Sequence, residues 1–265
     1  MTTTSVYTNI EAHARKAGHP LPVALSGRVE HVRSLAPGML DRRDTLDELV
    51  TTTANVLDAG RDPATDKTVH AVLTRHTLAT ATTWPRALAG WVEAQTREAL
   101  TEHAEPLLTE WGRHIGEAGT RLGEALPHLD RQQTLPEQAQ AAVRAGGKRA
   151  DAWRVASDAL TVIDNLADAW LMLAHELRYA RGGALEVNYG GVIVRAPGIT
   201  AQALAAIPAR QKTWALVTVH DVTVTGADLA TYRAAADRLA AEQAKALAAQ
   251  QRESEKVRGA AFRFR

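Results

Sequence analysis

The sequence predicts a mainly α-helical protein with a small antiparallel β element, an α+β fold whose helical body is built from long amphipathic helices. Three observations lead there. First, Trp153, Ala156, Leu160, Ile163, Ala167, Trp170, Ala174 and Leu177 alternate spacings of three and four. That spacing places them on one side of a helix and fits a heptad seam, as in a coiled coil. Second, aromatic residues make up only 5% of the chain, with six Trp and two Phe, so the core is drawn largely from Ala, Leu and Val. Such a core suits closely packed helices better than a β-sandwich. Third, near residues 185–225 the pattern shortens to strand-like alternation.

The chain has 265 residues and 45% hydrophobic content, enough for one large domain or two small ones. Its net charge of +1 supplies no global field for nucleic acid or an anionic membrane. The absence of cysteine excludes disulfides, thiolate metal sites and Cys nucleophiles. No basic-then-apolar leader opens the sequence and no run has the apolar length of a membrane helix, so a cytoplasmic location with no membrane partner is expected. Arginine outnumbers lysine and alanine is abundant, as in a GC-rich coding genome.

In chain order, a short helix is expected from Ile10 to Ala17, closed by Gly18 and Pro20. A second runs from Val23 to Leu35 and is broken by Pro37 and Gly38. Asp44 suits an N-cap, with Asp47 and Glu48 in the first turn, for a helix that carries Leu46, Leu49, Val50 and Leu57 and stops at Gly60. Asp66 caps a helix bearing Val69, Val72, Leu73 and Leu78. Pro85 suits the start of another, through Leu88, Trp91, Val92 and Leu100; Pro106 either kinks it or begins a new one. The seam resumes at Leu108, Trp111, Ile115, Ala118 and Leu122. Beside it runs a row of glycines, Gly112, Gly116, Gly119 and Gly123. Each interior glycine costs a helix about 1 kcal/mol relative to Ala. The row therefore means either a groove for a closely approaching backbone or a broken helix.

Residues 1–130 read as an N-terminal helical region and 131–148, with prolines, glutamines and Gly146–Gly147, as a linker or hinge. Residues 149–265 then carry a long helix from about Arg149 to Ala180, a β-sheet and a C-terminal helix. Leu185, Val187 and Tyr189 alternate before Gly190–Gly191 and Val192–Val194, a hairpin pattern. A short helix from Thr200 to about Ile207 follows, then a β run from Thr213 to Thr225 broken near His220–Asp221. The last helix spans about Ala227 to Val257, with Leu229, Tyr232, Ala236 and Leu239 on one side.

No catalytic, cofactor-binding or metal set is assigned. Around Gly146–Gly147 the P-loop pattern fails, because Ala142 and Arg149 stand where it needs Gly and Ser or Thr. Glu110 and His114 are spaced i, i+4 and share a face with Glu117, but neither H-E-x-x-H nor paired Glu-x-x-His is present. His220–Asp221 has no G-x-S-x-G serine to serve and reads as a turn.

The residues singled out are those of contact. Trp153, Leu160, Ile163, Trp170 and Leu177 form the seam. Phe262, Arg263, Phe264 and Arg265 form a tail whose rings and guanidinium groups alternate, suited to docking on a partner. The function expected is therefore that of a non-enzymatic structural or assembly protein, self-associating or binding another protein, in a setting such as a phage or mobile element of a GC-rich bacterium. The first alternative is a nucleic-acid-binding accessory protein using Arg144, Lys148, Arg149 and Arg258. The second is an enzyme without a readable motif.

Overall fold

A computed structural model describes residues 2–35, 42–80, 84–179, 192–193, 212–219 and 221–262. These residues are mostly helical. Nine helices are described: α1 (Thr3–Lys16), α2 (Val23–Leu35), α3 (Arg42–Asp58), α4 (Lys67–Thr80), α5 (Trp84–Ala125), α6 (Leu135–Ala145), α7 (Gly147–Glu176), α8 (Lys212–Val219) and α9 (Leu229–Phe262). None of them is long and apolar enough to cross a membrane.

The expected β element is corrected here: no strand occurs among the described residues. Thr213–Val219 is α8, with Thr213, Trp214, Leu216 and Val217 buried at helical spacing against α7. Its β-branched residues favour a strand only mildly, and packing against a neighbouring helix overrides that preference. Val192 and Ile193 are helical and buried. The other hairpin residues, the 200–207 helix and His220 lie outside the described residues.

The chain divides into two units, residues 1–5 with 22–102, and residues 6–21 with 103–265, so of the three boundaries one falls inside α1, one between α1 and α2, and one inside α5. In the first unit α3 and α4 pack on each other. Asp66 caps α4 as expected, its Oδ1 accepting from the Thr68 and Val69 amides at 2.8 and 3.4 Å. Thr4 is tied to α5 by its amide and hydroxyl, which donate to Glu93 at 3.1 and 2.7 Å, while Arg33 donates to the Thr4 carbonyl at 2.8 Å. Burial opposes the Glu93 charge, but hydrogen bonds from Thr4 and Thr3 outweigh it and hold the carboxyl below its ordinary range. These anchors extend α1 back to Thr3, past threonines whose weak propensity hides the turn from sequence.

In the second unit α5 runs through Pro106 as one helix. Its core holds Trp111, Ile115 and Leu122 from α5, Ile163, Leu166 and Trp170 from α7, and Tyr232 from α9. Three of the four glycines are explained by residues 224–227 of the same chain. A Cβ on Gly116 would stand 2.8 Å from the Thr225 carbonyl oxygen. One on Gly119 would strike the Val224 carbonyl, and one on Gly112 the Ala227 carbonyl. Gly226 takes a left-handed φ of 61° against Gly112, a position only glycine fills without strain. Gly123 has nothing within 4 Å. The groove reading of the glycine row therefore holds for its first three members, and the occupant is the approach to α9.

Candidate functional site

The seam of α7 is covered from within its own unit. Ile163 and Trp170 are fully buried, as are Ala156, Ala167 and Ala174 of the same stripe. The Trp170 indole N–H donates to the Leu108 carbonyl of α5 at 3.2 Å, and its ring lies 4.4 Å from that of Tyr232. Burial pushes the Tyr232 phenol up to about 12. Trp153, Leu160 and Leu177 are half-buried, and the Trp153 indole donates to the Leu135 carbonyl of α6 at 2.8 Å. A second buried row, Ala152, Ala159, Leu166, Ala169 and Leu173, widens the covered face beyond a two-position seam. That breadth marks a helix inside a bundle.

The linker region carries α6, with a capping box in which the Thr134 amide donates to Glu137 at 2.8 Å. The wholly buried Gln138 knots the preceding loop. It accepts from the Asp130 amide at 2.8 Å and donates to the Asp130 and Gln133 carbonyls at 2.8 and 3.1 Å. Sequence reading passed over this residue, although the Thr-x-x-Glu signal stands beside it. Asp221, expected in a turn, has a left-handed φ of 51° and pairs with Arg131 at 3.0 Å.

Of the alternative nucleic-acid residues, Arg144 and Lys148 are exposed and Arg149 is half-buried at the α6–α7 junction. Gly146 and Gly147 both have positive φ there. Arg258 lies in α9, far along the chain from this cluster. Phe262 ends α9, and Arg263, Phe264 and Arg265 lie outside the described residues.

A cleft of about 370 Å³ opens between α6, α7 and α8, lined by Ser157, Thr161, Asp164, Asn165 and Trp214 among others. Most of its polar groups are already engaged. Thr213 donates to Asp164, Thr161 donates to the Ser157 carbonyl at 2.9 Å, Asn165 donates to the Thr161 carbonyl at 2.8 Å, and Trp214 donates to the Gln133 carbonyl at 3.1 Å. Such a lining leaves little hydrogen-bonding capacity for a ligand.

A second cluster joins residues far apart in sequence. The imidazoles of His19 and His114 stack with centroids 3.7 Å apart. His114 faces Glu117 at 3.3 Å through Nδ1 and Glu110 at 3.6 Å through Nε2. Arg113 approaches the same Nε2 at 3.0 Å and also binds Glu117. Burial first, then the neighbouring His114, lowers the pKa of His19. Only Glu110, His114 and Glu117 were visible as a group in sequence, because i, i+3 and i, i+4 spacing is local and the His19 contact is not. Among the described residues, no three or more His, Asp or Glu side chains converge as metal ligands do.

Comparison with protein-family models, with curated proteins and with solved structures finds no match to this chain.

Proposed function

We propose that this is a non-enzymatic structural or assembly protein that works through helix-mediated protein contacts, with α9 as its contact element. One observation carries the reading. α9 is 34 residues long, and every side chain from Ala244 to Arg252 is exposed, Leu247 among them. Most helical stability in proteins comes from packing of a face rather than from propensity, so distal turns that lack a packed face gain stability from a partner. The Phe262–Arg265 segment continues directly from this helix and supplies aromatic anchors and cations for the same contact. The α7 seam supports the reading only as scaffold, since its Trp and Ile residues are used inside the unit.

The test compares the full chain with Leu247→Glu and with Phe262→Ser/Phe264→Ser, by sedimentation equilibrium over a wide concentration range and by capture from the native host. Self-association or a specific captured protein, weakened by these exposed changes, is the expected result. A monomer at all concentrations, with identical capture by all three proteins, refutes it. Salt-sensitive retention on DNA that disappears on neutralising Arg144 and Lys148 would favour the nucleic-acid reading instead.

A further inference from the structure

We propose that His19 and His114 form a proton-sensitive clasp, in which neutral imidazoles stack to hold the end of the Val6–Leu21 segment on α5 and double protonation releases it. The backbone places the first ring. α1 closes in a Schellman motif, with Gly18 at φ 80°, the His19 amide donating to the Ala14 carbonyl at 2.9 Å and the Gly18 amide to the Arg15 carbonyl at 3.0 Å. Ala17 and Leu21, on either side, are buried, and His19 is half-buried between them. Its ring is thus delivered to α5 from a defined turn.

The second ring, that of His114, sits between donors and acceptors that a neutral imidazole can satisfy at both nitrogens. Arg113 is a donor only, so in the neutral ring its contact at 3.0 Å assigns Nε2 as the acceptor and Nδ1 as the donor, which faces Glu117 at 3.3 Å. Arg113 closes the triangle by binding Glu117. Protonating Nε2 abolishes its lone pair and expels Arg113, leaving Glu110 at 3.6 Å as the new partner. A second proton, on His19, sets two cationic rings against each other at 3.7 Å in a half-buried place. The charged groups facing the pair are Glu110, Arg113 and Glu117, with Arg121 lining the same surface hollow. The two carboxylates partner one imidazolium, while the guanidinium groups oppose a second.

The sign follows from His19. Its folded-state affinity for a proton is lower than in the unfolded chain, so the stack stabilises the unit above the ordinary histidine range and loses that contribution as pH falls through and below it.

Amide hydrogen exchange of the full chain at about pH 7.5 and about pH 5.5, corrected for intrinsic rates, tests the clasp. Protection at Ala17, Gly18 and His19 is expected to fall about tenfold on acidification, while Ile163–Leu173 is unchanged; in His19→Phe, which keeps an aromatic ring without a proton site, the fall is absent. Equal protection of the turn at both pH values, or an equal loss in His19→Phe, overturns the proposal. Ring NMR of the wild-type chain gives a reading that does not depend on that variant. His19 is expected to titrate below an isolated imidazole, and to move back towards it in His114→Phe. An ordinary titration unmoved by His114→Phe overturns the proposal as well.

Discussion

Alanine at Gly119 and at Gly123 is predicted to change stability in opposite directions, though the two positions lie one helical turn apart on α5. Both changes remove a helix-interior glycine, which favours the folded state by about 0.8–1.0 kcal/mol. At Gly123 nothing lies within 4 Å of the added methyl, so that gain is realised. At Gly119 the methyl would meet the Val224 carbonyl and stand 2.8 Å from the Val224 Cβ, inside van der Waals contact. Neither atom belongs to a flexible side-chain end. The 222–227 segment must then shift, and overpacking of this kind costs about 1–3 kcal/mol. If the segment lifts instead, the buried Val222 and Val224 lose packing worth about 1.5–3 kcal/mol each when fully exposed. The net expectation is up to about 2 kcal/mol of destabilisation for Gly119→Ala against about 1 kcal/mol of stabilisation for Gly123→Ala, a gap of about 1–3 kcal/mol between the two proteins. Urea unfolding followed by tryptophan fluorescence reads the difference, because Trp111, Trp170 and Trp214 are all buried in this unit. A Gly119→Ala protein as stable as Gly123→Ala would refute the account of the glycine row.

Replacing Gln138 by Leu strands the Asp130 amide and takes one donor each from the Asp130 and Gln133 carbonyls, the latter keeping the Trp214 indole, and is expected to cost about 1–3 kcal/mol, measured by thermal unfolding. In the first unit, the lowered pKa of Glu93 means that its contribution is present above the ordinary glutamate range and fades as pH falls through its depressed value. Acid unfolding should therefore be less steep in Glu93→Gln than in the parent; superimposable acid limbs would show that the Thr4 bonds do not favour the charged form.

Local signals in the chain were sufficient wherever neighbours within a turn or two decide the outcome. Val23–Leu35 and the Asp66 cap of α4 follow from breaker and capping residues whose effects act over a few positions. The α7 stripe follows from periodicity alone. Signals that need a distant neighbour misled: Thr213–Val219 has strand-like composition yet lies on α7 as a helix, and the weak first turns of α1 depend on Glu93, a residue 89 positions away from Thr4. Pro106 left two outcomes open, and the helix continues through it with Ala104, Leu107 and Leu108 buried on either side. The capping box at Thr134–Glu137 was legible, but the surrounding polar, proline-bearing composition masked it.

Of the candidate site, the residues were readable and their use was not. Periodicity determined that Ile163 and Trp170 must leave water, because apolar surface at that spacing is driven out of solvent whatever covers it. That drive has no direction, so it names no partner. Tertiary structure alone decided that Leu108 and Tyr232 of the same chain would cover Trp170, that residues 224–227 would fill the glycine groove, and that His19 would meet His114. Each is a match of shape and hydrogen bonding between segments far apart in sequence, which no local spacing encodes.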